Sequence, residues 1–256
     1  MRLLFLGTGT SLGVPMIGCP CEVCHSSDPR DKRFRSSVVI QNDKTILIDT
    51  TPDFRSQALL HGLNHLDAVV YTHGHNDHII GFDDLRRYCA ISGNPMPIYG
   101  SADTLEHLET IFPYAFNPPE IIPTYVRVLP HKIRKQFEIG QTSFIPLRVI
   151  HGTMPTYGYI VCDQGVKKAA YIPDCASVPE ETAALLQDIP VLIIDGLRDN
   201  PHPTHLHIKA AIDVARQARA KTTYLTHLTH NIMHVRKEKE LPAGVFLAYD
   251  GLSLDL

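Results

Sequence analysis

The sequence predicts an α/β (α+β) fold that forms one domain over residues 1–256. Short β-rich runs are interspersed along the chain with stretches of helical periodicity. A length of 256 residues is common for α/β and layered β folds that are not divided into domains. A hydrophobic fraction of 44% is ample for a core, and no repeat or linker interrupts the sequence.

The N-terminal part of the chain alternates between predicted strands and helices. Residues 36–41 and 44–48 are joined by Asn42-Asp43, which is typical of a hairpin. Residues 53–61 read as a helix with Pro52 ahead and Gly62 behind. Residues 113–124 carry four prolines and predict a loop of the kind that forms lids or rims. Together we expect strands at 2–6, 36–41, 44–48, 67–71 and 96–99, and helices at 53–61, 81–92 and 102–112.

The C-terminal part continues the same alternation. Apolar residues at 208, 211, 212 and 215 give one face of a helix over 208–218. A second helix is predicted at 179–186, a short one follows residue 230, and the chain closes in a turn. Strands are expected at 125–129, 137–139, 143–150, 157–162, 168–172, 191–194, 222–226 and 245–249.

Composition excludes several classes of protein. The formal charge of −3 gives no sign of a groove for polyanions, although a local basic patch is compatible with a balanced total. No stretch reaches the roughly 18–20 apolar residues that a membrane helix needs. Residues 1–7 predict a first strand and not a signal peptide. We therefore expect a cytoplasmic protein with no membrane partner, and the composition disfavours a nucleic-acid partner.

Two unusual segments lie near the N-terminus. The glycine-rich stretch 7–13 has the wrong spacing for a dinucleotide fingerprint and is followed by Val14-Pro15, so it predicts a tight turn beside an active site. Cys19, Cys21 and Cys24 could wrap a tetrahedral zinc with a fourth ligand from elsewhere. The alternative is buried small side chains or an adventitious disulfide. The bunching of three of six cysteines favours a metal and a reducing compartment. The charged residues that follow, to position 35, predict a surface loop.

The densest cluster of reactive side chains is Thr72-His73-Gly74-His75-Asn76-Asp77-His78, directly after the apolar residues 68–71. In an extended segment His73 and His75 project to the same side, because side chains alternate with period two. Imidazole and carboxylate are ligands for Zn, Mn or Fe. The alternative is a histidine-rich surface loop without a function. The pattern favours a metal site.

Polar residues recur at the ends of the predicted strands. Loops at strand ends are held by the rigid sheet and often carry binding or catalytic residues. Any one of them could be a buried histidine or a turn-forming aspartate. Six in succession, beside the dense cluster, favour one site along a sheet edge: Asp49, His73, His151, Asp174, Asp195 and His227.

The stretch 72–78 resembles the signature of the metallo-β-lactamase superfamily, and His151, Asp174 and His227 follow in that family's order. The resemblance extends over essentially the whole chain. It implies a four-layer αβ/βα sandwich with two divalent metals, Mn or Zn and possibly Fe, at the edge between the sheets. The implied ligands are His73, His75 and His151 for one metal, Asp77, His78 and His227 for the other, and Asp174 as the bridge. Cys175 leaves that bridge ambiguous by one residue. Asp49 is expected to accept a hydrogen bond from a ligand histidine, and Asp195 receives no role.

A narrower resemblance joins Leu12-Gly13-Val14-Pro15, the cysteines and the segment 225–230 to the PhnP-type cyclic phosphate phosphodiesterases, which are related to ribonuclease Z. It implies that Cys19, Cys21, Cys24 and His230 hold a structural zinc, because four protein ligands leave no open position. Residues 202–207 resemble the place where these enzymes keep a catalytic histidine. His205 matches best, with His202 and His207 as alternatives, and Asp77 counts among the catalytic residues as well as the ligands.

The resemblance thus implies a phosphodiesterase that acts on a small substrate, of the ribosyl cyclic phosphate type. A bridging hydroxide would attack phosphorus while His205 protonates the leaving oxygen. The alternatives are an RNA endonuclease like ribonuclease Z, for which the chain lacks a basic insertion, a glyoxalase II-like ester or thioester hydrolase, and a non-catalytic metal-binding protein. Homodimers are common in the resembled family.

Overall fold

The computed structural model describes residues 1–116 and 125–256, and these form two seven-stranded sheets. The first sheet has the order β14-β1-β2-β3-β4-β5-β6, with strands β1 (Arg2–Gly7), β2 (Ser37–Gln41), β3 (Thr45–Ile48), β4 (Ala68–Val70), β5 (Met96–Gly100), β6 (Val128–Lys132) and β14 (Ser253–Asp255). The second has the order β13-β12-β11-β10-β9-β8-β7, with strands β7 (Phe137–Ile139), β8 (Thr142–His151), β9 (Met154–Asp163), β10 (Val166–Ile172), β11 (Val191–Asp195), β12 (Thr222–Thr226) and β13 (Val245–Leu247).

Helices cover the outer faces of both sheets. They are α1 (Glu22–His25), α2 (Phe54–Leu60), α3 (Asn76–Ile79), α4 (Arg86–Ser92), α5 (Ala102–Ile111), α6 (Pro113–Phe116), α7 (Glu180–Leu185), α8 (Ile208–Gln217) and α9 (His234–Glu238). Two 3₁₀ turns lie at Pro29–Asp31 and Ile80–Leu85. None of the helices in the described ranges is long and apolar enough to cross a membrane.

The packing of the sheets follows from the alternation of side chains along each strand. In β1, Phe5 enters the core between the sheets together with Phe144 and Tyr171 of the second sheet. Leu4 and Leu6 point the other way, into the layer under α2 and α5. A third cluster lies between the second sheet and α8. The order helix, sheet, sheet, helix confirms the four-layer sandwich.

Parallel pairing brings the polar strand ends to one edge. β3 pairs with β4 in parallel, and β10, β11 and β12 are parallel to one another. Parallel strands end on the same side of a sheet, so the residues just after them become neighbours. This register gathers Asp49, His73, Asp174, Asp195 and His227, which are distant in sequence.

Some element predictions were wrong. The strand expected at 125–129 runs instead over Val128–Lys132, because its position is set by parallel pairing with β5 at the edge of the sheet. Pro130 fits there, since an edge strand tolerates a missing N–H. The loop predicted at 113–124 begins as helix α6, and residues 117–124 lie outside the described ranges. The closing turn contains a strand, β14, which pairs with β1.

The helix predicted at 81–92 is divided into a 3₁₀ turn and α4. The backbone packs so closely here that a side chain at Gly81 would collide with the carbonyl oxygen of Thr51. The surface loop predicted up to residue 35 is partly interior, because Asp31 and Arg33 are buried. The Arg33 guanidinium donates to the Ala248 carbonyl at 2.6 Å, a partner 215 residues away that the local sequence does not indicate.

Candidate metal centre and catalytic cleft

The histidine-rich stretch leaves β4 as an extended segment and ends in α3. His75 keeps an extended backbone (φ −67°, ψ 146°) immediately before that helix. The amide of Tyr157, from the second sheet, donates to the Thr72 carbonyl at 3.0 Å. The stretch therefore lies at the edge between the sheets. It borders a cleft of about 490 Å³ whose polar walls include His75, Asp77, His151, Asp174, His205 and His227.

Hydrogen bonds from outside the cleft fix the tautomers of two histidines. The Thr72 hydroxyl donates to Asp49 Oδ2 at 2.7 Å and so accepts from His73 Nδ1 at 3.0 Å. The Thr204 carbonyl accepts from His151 Nδ1 at 2.7 Å. Burial lowers the pKa of both histidines, which keeps them neutral. Each is left with a bare Nε2 lone pair.

Those two lone pairs converge on the third histidine. His75 Nδ1 lies 3.0 Å from His73 Nε2 and 3.1 Å from His151 Nε2. Burial also lowers the pKa of His75, so it can donate at most one proton to the pair. At least one contact then brings two bare nitrogens together, which a cation between them would relieve. The three imidazoles fit a metal ion.

A second group of ligand atoms gathers beside the first. Asp77, His78, Asp174 and His227 offer atoms that all lie within 4.8 Å of one another. Three buried atoms of the group have no hydrogen-bond partner among the described residues: His78 Nε2, Asp174 Oδ1 and His227 Nδ1. Buried polar atoms are normally satisfied. Their convergence fits a second metal ion.

Asp174 lies between the two groups. Its Oδ2 is 3.6 Å from His151 Nε2 and 3.9 Å from His73 Nε2. Its Oδ1 is 3.2 Å from His78 Nε2 and 3.3 Å from His227 Nδ1. The carboxylate of Asp174 thus presents one oxygen to each of the two groups. The neighbouring Cys175 thiol packs in the apolar layer under α8, so it is Asp174 that reaches the cleft.

Three carboxylates, those of Asp49, Asp77 and Asp174, lie against the ring of His78. Although burial disfavours the imidazolium, Asp174, Asp77 and Asp49 together raise the pKa of His78 well above its ordinary value. Asp49 Oδ2 accepts from His78 Nδ1 at 2.8 Å, which turns Nε2 toward the cleft. Such outer hydrogen bonds orient histidine ligands in metal sites. The donor set of imidazoles and carboxylates suits Zn, Mn or Fe.

Two of these strand-end residues adopt a left-handed backbone. Asp49 has φ +66° and His227 has φ +58°, values uncommon for residues other than glycine. Such conformations persist where the surrounding structure determines them. Here each allows a side chain at the end of a strand to turn toward the shared edge.

The three N-terminal cysteines meet His230 at a separate place. His230 Nδ1 is 3.2 Å from Cys19 Sγ and 3.4 Å from Cys21 Sγ, and Cys24 completes a group within 4.8 Å. All six cysteines of the chain are free. The amide of Cys24 donates to Cys21 Sγ and helps to lower the pKa of that thiol to about 6. Three thiols and one imidazole within this distance of one another fit a tetrahedral zinc.

The loop between β11 and α8 brings His205 to the cleft. The ring of His205 stacks on His227 with centroids 4.8 Å apart, and its Nδ1 donates to Asp195 Oδ2 at 2.7 Å. Burial opposes the charged form, but this hydrogen bond raises the pKa of His205. His205 Nε2 is left to face the cleft. His202 lies beside it, with ring centroids 5.2 Å apart, whereas His207 precedes α8 and does not line the cleft.

Asp195, which the sequence placed among the strand-end residues without a role, receives one in the structure. Besides His205, it accepts from the amides of Cys175 and Leu197, both at 3.1 Å. The available signal was an aspartate at a strand end, ten residues before a histidine. Without the register of β11 nothing connected the two.

Known proteins resemble this chain over its full described length. Residues 44–228 match the family model of the beta-lactamase superfamily domain. The crystal structure of a diphosphatase from the PhnP family is 43% identical, with a TM-score of 0.91, and the match covers 100% of this chain and 97% of that one. Zn²⁺-bound PqqB from Methylobacterium extorquens has a TM-score of 0.83 at 22% identity over 100% of both chains, a likeness of fold. An octanoyltransferase of Porphyromonas gingivalis is 38% identical over 98% of this chain, which spans only 51% of that relative.

Proposed function

Because the chain belongs to the metallo-β-lactamase superfamily and, within it, to the PhnP family, we propose that this hydrolase is a metal-dependent phosphodiesterase. The observation that carries the proposal is Asp174, whose two oxygens face two separate groups of ligand atoms. A proton donor, His205, stands on the wall of the same cleft. A binuclear centre beside an acid is an arrangement that favours in-line displacement at phosphorus.

Each of the two metal ions would have its own set of ligands. His73, His75 and His151 would hold one, Asp77, His78 and His227 the other, and Asp174 would bind both. Two divalent ions in such a site supply an activated water and neutralise charge on the phosphoryl oxygens. Zn, Mn and Fe all accept these ligands. In the cysteine group, Cys19, Cys21, Cys24 and His230 would hold a structural zinc.

The chain's own residues would move the proton. Asp195 binds His205 through Nδ1 and stabilises its charged form, so Nε2 can carry a proton toward the cleft. That proton would pass to the oxygen that leaves phosphorus. General-acid catalysis of this kind contributes about 10²- to 10⁴-fold to rate. His202 has no carboxylate partner among the described residues, and burial lowers its pKa, which favours His205 as the acid.

A small substrate fits the proposal better than RNA. A ribosyl cyclic phosphate is the substrate class that the PhnP resemblance suggests. With 24 basic and 27 acidic residues, the chain has no net positive charge to attract a nucleic acid. One domain, a cytoplasmic location and a homodimer remain predictions.

A second candidate is hydrolysis of a diphosphate diester. It is favoured by the 43% identity to a PhnP-family diphosphatase. The chemistry is closely related, because water attacks phosphorus in both and only the leaving group differs. A glyoxalase II-like hydrolase would use similar metal ligands but has no need of the His205–Asp195 pair.

The proposal is tested by replacing the acid and comparing substrate classes. His205→Ala should lower turnover of an alkyl phosphodiester by about 10²-fold or more with metal content unchanged. His65→Ala, at an exposed histidine before β4, is the matched control. Wild-type protein should hydrolyse diesters in preference to monoesters, thioesters and lactams. Full activity in His205→Ala would remove the acid role, and preference for thioesters or lactams would overturn the proposed function.

A further inference from the structure

A second cavity adjoins the metal cleft beside His205. It has a volume of about 250 Å³ and shares two wall residues with the cleft, His205 and Ser11. Its walls come from the glycine turn at 10–13, the loop between β11 and α8, and residues 229–231. A group that takes a proton from His205 would therefore lie beside a residue that lines this cavity as well as the cleft.

The cavity carries a positive charge from Arg198. The Nε and Nη2 atoms of Arg198 donate to the carbonyls of Asn200 and Pro201, each at 3.2 Å. These bonds hold the guanidinium in place and leave Nη1 with no hydrogen bond to the part of the chain that the structure describes. Within the described ranges, no aspartate or glutamate lines the cavity. Of the histidines on its wall, His230 faces the cysteine group.

His202 adds a neutral polar group to the same wall. Burial lowers its pKa, and the charges of His205 and Arg198 lower it further. The ring can therefore exchange hydrogen bonds without adding charge. Ser11, Thr229 and Asn231 supply further polar groups around the cavity. This lining suits a small hydroxylated group that carries an anion.

We propose that this cavity binds the leaving group of the substrate and that Arg198 binds a phosphate on that group. The inference rests on the proposed function and specifies its substrate class. A volume of about 250 Å³ is below the roughly 300–1,000 Å³ of pockets for drug-sized ligands. A sugar phosphate or a phosphate monoester is the size of leaving group that fits. Arginine is well suited to phosphate because its guanidinium is always charged, and the two N–H groups of the free Nη1 atom can donate to phosphate oxygens.

The reaction consumes one water. The water oxygen forms a bond to phosphorus, and the bond from phosphorus to the leaving oxygen breaks. The electron pair of that bond stays on the leaving oxygen, which takes the proton of His205. The water's proton later restores His205. The leaving group becomes an alcohol or a phosphate monoester. Its own phosphate stays bound to Arg198 until this product dissociates.

The test compares two substrates that differ in the charge of the leaving group. ADP-ribose releases a phosphate monoester whichever phosphorus is attacked, whereas bis(4-nitrophenyl) phosphate releases a group with no additional anion. Arg198→Gln keeps donors for the loop carbonyls but removes the charge, and Arg198→Lys keeps the charge. Arg216→Ala removes an exposed arginine of α8 and is the matched control.

We expect Arg198→Gln to lower kcat/KM for ADP-ribose by about 10- to 100-fold, the range for a lost charged hydrogen bond. It should change kcat/KM for bis(4-nitrophenyl) phosphate by less than about threefold, and Arg198→Lys should recover part of the loss. Equal losses on both substrates, or none on either, overturn the inference and leave the phosphodiesterase intact. A wild-type protein that hydrolyses neither substrate overturns the proposed function and the inference with it.

Discussion

Replacing Asp195 with asparagine removes the negative charge of the group that binds His205 while keeping its size and shape. The carboxylate accepts three hydrogen bonds, from His205 Nδ1 at 2.7 Å and from the amides of Cys175 and Leu197 at 3.1 Å. An asparagine of the same size has one acceptor oxygen instead of two. At least one buried N–H then loses its partner, which costs about 1–3 kcal/mol of unfolding free energy.

The effect on catalysis should depend on the leaving group. Without the carboxylate, protonated His205 is less stable, and the acid should lose about 10²-fold in kcat on a diester that releases a basic alkoxide, such as a 2′,3′-cyclic nucleotide. Bis(4-nitrophenyl) phosphate releases a weakly basic phenolate that needs little protonation. The loss on that substrate should stay within about tenfold.

The pH profile gives the sign of the electrostatic effect. Asp195 raises the pKa of His205, against the opposing effect of burial. The protonated form is the acid, so activity falls as pH rises through this pKa. Asp195→Asn lowers the pKa, and the alkaline limb of kcat/KM should move to lower pH. Both substrates would be assayed across pH with metal content and Tm measured in parallel. Equal losses on the two substrates with an unchanged alkaline limb would refute the assigned role of Asp195.

Three further changes test the metal ligands and their supports. Asp174→Ala should remove metal from the central site, whereas the cysteine group should keep its metal. Elemental analysis measures both, and an unchanged metal content would count against a bridging carboxylate. Cys24→Ser should release the structural zinc and lower Tm by roughly 5 °C or more, and an unaltered melting curve would show that the cysteines do not hold a metal in the folded protein. Asp49→Asn removes the charged acceptor of His78 and should weaken central-site metal affinity about 10- to 100-fold in a chelator competition, whereas wild-type affinity would deny Asp49 that role.

Much of the candidate site could be predicted because its ligands are marked locally. His73, His75, Asp77 and His78 occupy one short segment, and alternation in an extended chain already sends the first two to the same side. Asp174 and His227 could be found because each follows the buried C-terminal end of a predicted strand. The sequence does not show the parallel register that brings the two residues together. The expectation that strand ends meet at one sheet edge was enough to place them in one site.

What could not be predicted depends on contacts between distant segments. Asp195 gained a role only when β11 and the loop after it were placed together, since the sequence gives no sign that its carboxylate reaches His205. Arg198 belongs to a cavity whose walls come from three separate parts of the chain. The buried Arg33 was mistaken for a surface residue because charge and loop composition normally indicate exposure.

The shift of β6 has a similar cause. An edge strand with an exposed Leu129 and a proline carries little periodicity of its own, so pairing with β5 decides where it begins. The fold as a whole was more predictable than this element, because the buried strands that build the two sheets are strongly apolar.

The central claim is that two metal ions beside His205 hydrolyse a phosphodiester. One preparation of the full chain should be analysed for metal content and assayed on a 2′,3′-cyclic nucleotide before chelation, after chelation, and after return of Mn²⁺ or Zn²⁺. The account predicts two metal ions in the central site and one in the cysteine group, loss of hydrolysis with the central ions, and its recovery when they are returned. Hydrolysis that persists in protein stripped of central metal, or metal-replete protein that leaves every phosphodiester intact, would contradict it.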